Sequence, residues 1–131
     1  MTESETERPM RETQALSALL AKLEAATGPS RELDAAIALA VGWRERDGML
    51  GWEWVAPEGR MRGLPHFTKS LDAAMTLVPP DWYAIISSRG RADLRHPDEP
   101  YRRETSDGAT AILALCRAAV RARLAGQKEH P

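Results

Sequence analysis

The sequence predicts an α+β domain: an antiparallel sheet of two hairpins packed with about four helices, sandwich-like, in the order α-α-β-β-α-β-β-α. Three observations predict it. Apolar residues recur at helical spacing in capped stretches toward both ends of the chain, and aromatic or β-branched runs in the middle carry strand character. Between those runs, Leu64 to Pro80 reads as an extended lead-in followed by a short helix that Pro79-Pro80 stops. Pro65 biases its surroundings away from helix, Ser70 is placed to cap, and Asp72 suits the positive end of the helix dipole. Leu71, Ala74, Met75 and Val78 form its expected apolar stripe. Two turns of helix are marginal alone, so this element must be clamped by its neighbours.

The first ten residues hold three glutamates and little that could offset ordering entropy, and are expected to form a disordered acidic tail. From Arg11, Leu16, Leu19, Leu20, Leu23 and Ala26 define a first helix that Gly28-Pro29 ends. Ser30 caps a second, with Glu32 and Asp34 favoured in its first turns and Leu33, Ala36, Ile37, Ala40 and Val41 on its apolar face. Gly42 ends it, Trp43 folds back over its end, and Arg44 to Gly48 is a polar turn. Trp52 and Trp54 flank Glu53 on a strand, which Ala56-Pro57-Glu58-Gly59 turns into a partner at Arg60 to Leu64.

Trp82 to Ser87 is the strongest strand signal in the chain. Ser88-Arg89-Gly90 turns it into a half-exposed strand with Ala92, Leu94 and His96 on one face and Arg91, Asp93 and Arg95 on the other. Pro97 to Glu104 is read as a charged loop, with Thr105 or Ser106 capping the last helix. In that helix, from Ala109, Ile112, Leu113, Cys116, Ala119, Val120 and Leu124 define the apolar stripe, and Arg117, Arg121 and Arg123 suit the negative end of the dipole. The folded domain is expected over residues 11–125, with a polar tail at 126–131.

At 131 residues the chain suffices for one domain with a core of its own. Its apolar share of 43%, charged share of 28% and formal net charge of −1 exclude a global preference for nucleic acid or anionic membrane. The charge is nonetheless uneven: nine Lys or Arg against thirteen Asp or Glu over residues 1–88, and nine against five over residues 89–128. A single cysteine forms no internal disulfide, and no stretch has the pattern of a signal peptide or membrane span, so a cytoplasmic protein is expected.

Three separated stretches, Arg31-Glu32-Leu33-Asp34-Ala35-Ala36-Ile37-Ala38-Leu39-Ala40-Val41-Gly42-Trp43, Pro65-His66-Phe67-Thr68-Lys69-Ser70-Leu71-Asp72-Ala73-Ala74 and Ala111-Ile112-Leu113-Ala114-Leu115-Cys116-Arg117-Ala118-Ala119, together resemble the phage ABA sandwich domain family, small proteins of phages and prophages. The similarity runs from about Glu32 to Leu124. It implies a compact α/β sandwich and a phage or prophage setting, and it carries over no catalytic residue.

His66, His96 and His130 have no ligand spacing to one another or to Cys116, so no metal and no cofactor is expected. A nucleophilic set of Ser70, His66 and Asp81 loses to capping by Ser70, and Cys116 reads as a small core residue. No catalytic residue is assigned. The leading expectation is therefore a non-enzymatic accessory protein that binds a protein partner, of host or phage, or a second copy of itself. Trp52, Trp54, Arg44 and Arg46 are the candidate interface, because an exposed indole beside arginines resembles a binding hot spot. The alternative is weak binding of nucleic acid or a small nucleotide by Arg89, Arg91, Arg95, Arg102 and Arg103, whose guanidinium forks suit phosphates. A third alternative, an enzyme, requires titratable groups converging in a pocket.

Overall fold

Glu7 to Ala25 form helix α1, and the Leu16, Leu19 and Leu23 side chains that predict it are all buried. A computed structural model of the protein describes residues 7–45, 53–87, 89–97, 103–107 and 110–128. The helix begins ahead of the expected Arg11, taking in Pro9, which costs no hydrogen bond in a first turn whose N–H groups have no intrahelical partner. Helix α2, Arg31–Ala40, starts where Ser30 accepts a hydrogen bond from the Leu33 N–H at 3.3 Å. At its other end Gly42 takes a φ of 102°, and the Trp43 N–H donates to the Ala38 carbonyl at 2.9 Å. That six-to-one bond closes the helix and turns Trp43 into the core, edge-on to Phe67 with centroids 6.3 Å apart.

Three short strands follow: β1, Arg44–Glu45, β2, Glu53–Val55, and β3, Met61–Gly63, in the antiparallel order β1-β2-β3. The β2–β3 hairpin lies as expected, its turn closed by Ala56 N–H to Arg60 carbonyl and Gly59 N–H to Ala56 carbonyl bonds, each 2.8 Å. β1 corrects the reading of Arg44 and Glu45 as turn residues. A two-residue strand has no periodicity of its own and exists only because Trp54 and Val55 supply a ladder for it.

Helix α3 is Leu71–Met75, capped by Ser70, whose Oγ accepts from the Ala73 N–H at 3.3 Å. Its buried face corrects the expected stripe. Ala74 and, just past the helix, Leu77 are buried, whereas Leu71 and Met75 are exposed, because the helix ends after five residues and the chain continues as turns to Pro79.

The second sheet is separate from the first and has the order β4-β5-β6, with β4 Tyr83–Ser87, β5 Arg91–Arg95 and β6 Arg103–Asp107. The expected hairpin is β4–β5, in register from Tyr83 opposite Arg95 to Ser87 opposite Arg91. β6 is additional, and Thr105 and Ser106 belong to it instead of capping the last helix. That cap is Thr110, whose Oγ1 accepts from the Leu113 N–H at 3.1 Å, ahead of α4, Ala111–Lys128.

α4 is the hub. Leu113 to Cys116, Ala118 to Val120 and Ala122 are all buried, more than one stripe can hold, because the helix packs against α1 on one side and all three strands of the second sheet on the other. Its alanines admit that double approach. Among the described residues the first sheet, by contrast, meets a helix at backbone level only where β1 touches α2. No described helix is long and apolar enough to cross a membrane.

Candidate functional site

The second sheet has one face on α4 and one toward solvent, and alternation decides which residues go where. Ala92 and Leu94 are fully buried beneath it, and Ala84 and Ile86 pack on the same core. Tyr83 and Ile85, the alternate residues of β4, are left 47% and 49% exposed. β4 is an edge strand, and among the described residues no further backbone group hydrogen-bonds its second edge. A pair of large apolar side chains thus lies along an open strand edge.

Behind them on β5 stand the cross-strand partners Arg95, Asp93 and Arg91. Arg95 Nε donates to Asp93 Oδ2 at 3.0 Å, and the Thr105 hydroxyl donates to Asp93 Oδ1 at 3.1 Å. Arg91 Nε donates to Asp107 Oδ1 at 3.0 Å. The hydrogen bond and charge of Arg91 hold the Asp107 carboxyl below its ordinary range, and the same contact, reciprocated by Asp107, raises Arg91. The face therefore presents arginines that are already neutralised by carboxylates of the same sheet.

The residues expected to bind anions are distributed as follows. Arg91 and Arg95 lie together on this face, Arg89 is exposed in the β4–β5 turn, and Arg103 stands opposite Arg95 in the ladder. Arg102 lies outside the described residues. So do Trp52 and Arg46 of the expected protein interface. Arg44 is exposed on β1, but Trp54 is only 5% exposed and part of the core. β1 makes β2 a central strand, and Trp54 lies on the face of it that packs into the core.

Other residues with chemical potential have structural roles. Cys116 is buried, its thiol donates to the Phe67 carbonyl at 3.3 Å, and burial together with the nearby charge of Asp34 pushes it up to about 12. Ser70 caps α3. Arg121 donates to the Thr105 carbonyl at 3.0 Å and to Glu24 Oε1 at 3.2 Å, and Arg117 donates to the Asp107 carbonyl. These two arginines tie α4 to β6 and to the end of α1, a tertiary role beyond the dipole contact that their sequence position suggests.

Sequence reasoning did not single out Tyr83 and Ile85. The signal was present in the period-two rule, but the whole run from Trp82 to Ile86 is apolar, so composition does not say which alternate set faces water. In comparisons with family models, curated proteins and solved structures, nothing matches the chain.

Proposed function

We propose that this chain is a non-enzymatic binding module that takes an extended segment of a partner protein along the free edge of β4. The observation that carries the reading is the pairing of a strand edge that is open among the described residues with Tyr83 and Ile85 exposed side by side on one face. Backbone hydrogen bonds to such an edge supply affinity, and pockets beside alternate side chains supply selectivity. The flanking ion pairs Arg91–Asp107 and Arg95–Asp93 offer both signs of charge, which suits the polar rim of a protein interface. Nucleic acid would instead call for uncompensated cations, and here two of the candidate arginines already have carboxylate partners. On the sequence resemblance to the phage ABA sandwich domain family, the proposed partner would belong to a phage or prophage setting, in the cytoplasm of a bacterial host cell.

The test is affinity capture from infected or lysogenic cells, with the unaltered chain and an Ile85→Lys variant as parallel baits and mass spectrometry as readout. A protein retained by the first and lost by the second, while both baits melt alike, supports the reading. Recovery of nucleic acid that disappears on reversing Arg89, Arg91 and Arg95 would replace it with the anion-binding alternative.

A further inference from the structure

β4 is apolar on both of its faces, so a strand added to its edge must be apolar on both as well. Tyr83 and Ile85 are exposed on one face, and Ala84 and Ile86 on the other pack on the core yet remain only half-buried. Among the described strands β4 alone has that composition, and the segment that complements it is β4 of another copy.

Symmetry then limits the register. Residues directly opposite in an antiparallel pair share a face of the sheet, and two identical strands about a two-fold axis exchange the same surface. Centred on Ile85, the pairing engages all five residues of Tyr83–Ser87: Ile85 meets Ile85, Ala84 meets Ile86 and Tyr83 meets Ser87. Centring it on Ala84 or Ile86 leaves two residues of each strand without a strand partner.

The register centred on Ile85 also sets opposite charges together. Asp81 and Arg89 lie two residues beyond the two ends of β4, both are exposed, and the axis brings Asp81 of one copy level with Arg89 of the other. Among the described residues neither forms an ion pair within its own chain, whereas Arg91 and Arg95 are held by Asp107 and Asp93.

Given the reading of β4 as a binding edge, on which this rests, we propose that its occupant is β4 of a second copy. Two chains thereby join their three-stranded sheets into one six-stranded sheet about an axis at Ile85, with both α4 helices on the same face. Ala84 and Ile86 continue the core across the seam, and each Ile85 covers its counterpart on the opposite face.

The test is sedimentation velocity of the full chain over a range of concentrations, joined to disulfide trapping. The unaltered 14.5 kDa chain should approach twice its mass as concentration rises, and Ile85→Lys, which opposes two ammonium groups across the axis, should stay a monomer with native circular dichroism. Asp81→Arg and Arg89→Asp should each raise the dimer Kd about fivefold or more, and the two together should restore it. Ile85→Cys should cross-link to itself on mild oxidation, because opposed residues lie about 4.5 to 5.5 Å apart at Cα. Tyr83→Cys, of like exposure, should not, since the two copies of that position are four residues, roughly 13 Å, apart along the strands. The cysteine pair decides the matter if Ile85→Lys fails to fold. A monomer at every concentration, a dimer that folded Ile85→Lys leaves intact, equal trapping of the two cysteines, or a charge exchange that restores nothing overturns the proposal. The β4 edge still stands as a site for another protein if the chain is monomeric but the unaltered bait captures one that Ile85→Lys loses. If Ile85→Lys alters neither self-association nor capture, the edge falls with its occupant.

Discussion

Asp34 Oδ1 accepts two hydrogen bonds from Thr68, one from its backbone N–H and one from its hydroxyl, each 2.8 Å long. The carboxylate is 1% exposed, and its other oxygen receives the Arg31 guanidinium at 3.0 Å. Arg31 reaches on to the Leu64 and Pro65 carbonyls, and the Ser30 N–H donates to Thr68 Oγ1 at 2.9 Å. Helix α2 is thereby clasped to the lead-in of α3. Replacing Asp34 by Ala leaves the Thr68 N–H buried without an acceptor, the Thr68 hydroxyl with the Ser30 carbonyl at 3.2 Å, and Arg31 without its carboxylate, so a loss of about 3 kcal/mol is expected from urea midpoints. Asp34→Asn, which keeps one acceptor oxygen, should lose less, and equal losses would show that the carboxylate is not the centre of the clasp.

Ser70→Ala should cost about 1 kcal/mol, because it frees the Ala73 N–H in the first turn of a helix too short to stand alone. An unchanged denaturant midpoint would mean that Pro65 and Pro79 suffice to hold this segment.

Trp54→Ala should cost about 3 to 5 kcal/mol, the loss typical of a large aromatic core side chain. A fully stable variant would return Trp54 to the list of surface residues.

The Asp107 carboxyl, held by Arg91 below its ordinary value of 3.8, sets the sign of one pH effect. A depressed folded-state value means that the pair contributes stability above the unfolded value and that the contribution disappears as pH falls through the folded one. Asp107→Asn should therefore lower the melting temperature slightly at neutral pH and leave it unchanged well below pH 3.8, with high salt shrinking the difference. A difference that persists in acid would point to the Asn side chain itself.

Cys116 should resist a thiol reagent in the native protein at pH 8, since its thiol stays protonated and out of reach, and should react at the ordinary rate in denaturant. Rapid native labelling would show that α4 opens readily from Phe67.

The parts legible in the sequence are those decided by near neighbours. Ser30, Ser70 and Gly42 act within a few residues along the chain, and each occupies the capping position that its chemistry suggests. The aliphatic spacing of α1 and α2 likewise names their buried faces. What escaped is decided at a distance. β6 is rich in charge and hydroxyls and is a strand because β5 offers a ladder and α4 a surface, neither visible in Arg103 to Asp107 alone. Asp34 reads as a dipole residue until Thr68 arrives above it, and Arg123 reads the same way until the turn after α3 places the Leu77 carbonyl beside it. Tyr83 and Ile85 became candidate binding residues only once sheet order made β4 an edge.

The unequal anchoring of the two sheets has a kinetic corollary. With α4 bound along three strands and β1 to β3 tied to the helices, among the described residues, by a single backbone seam, the molecule has a hierarchy of openings in place of one. Amide hydrogens of β2 and β3 should exchange with solvent through a partial opening, well before those of β5, which wait for the whole chain to unfold.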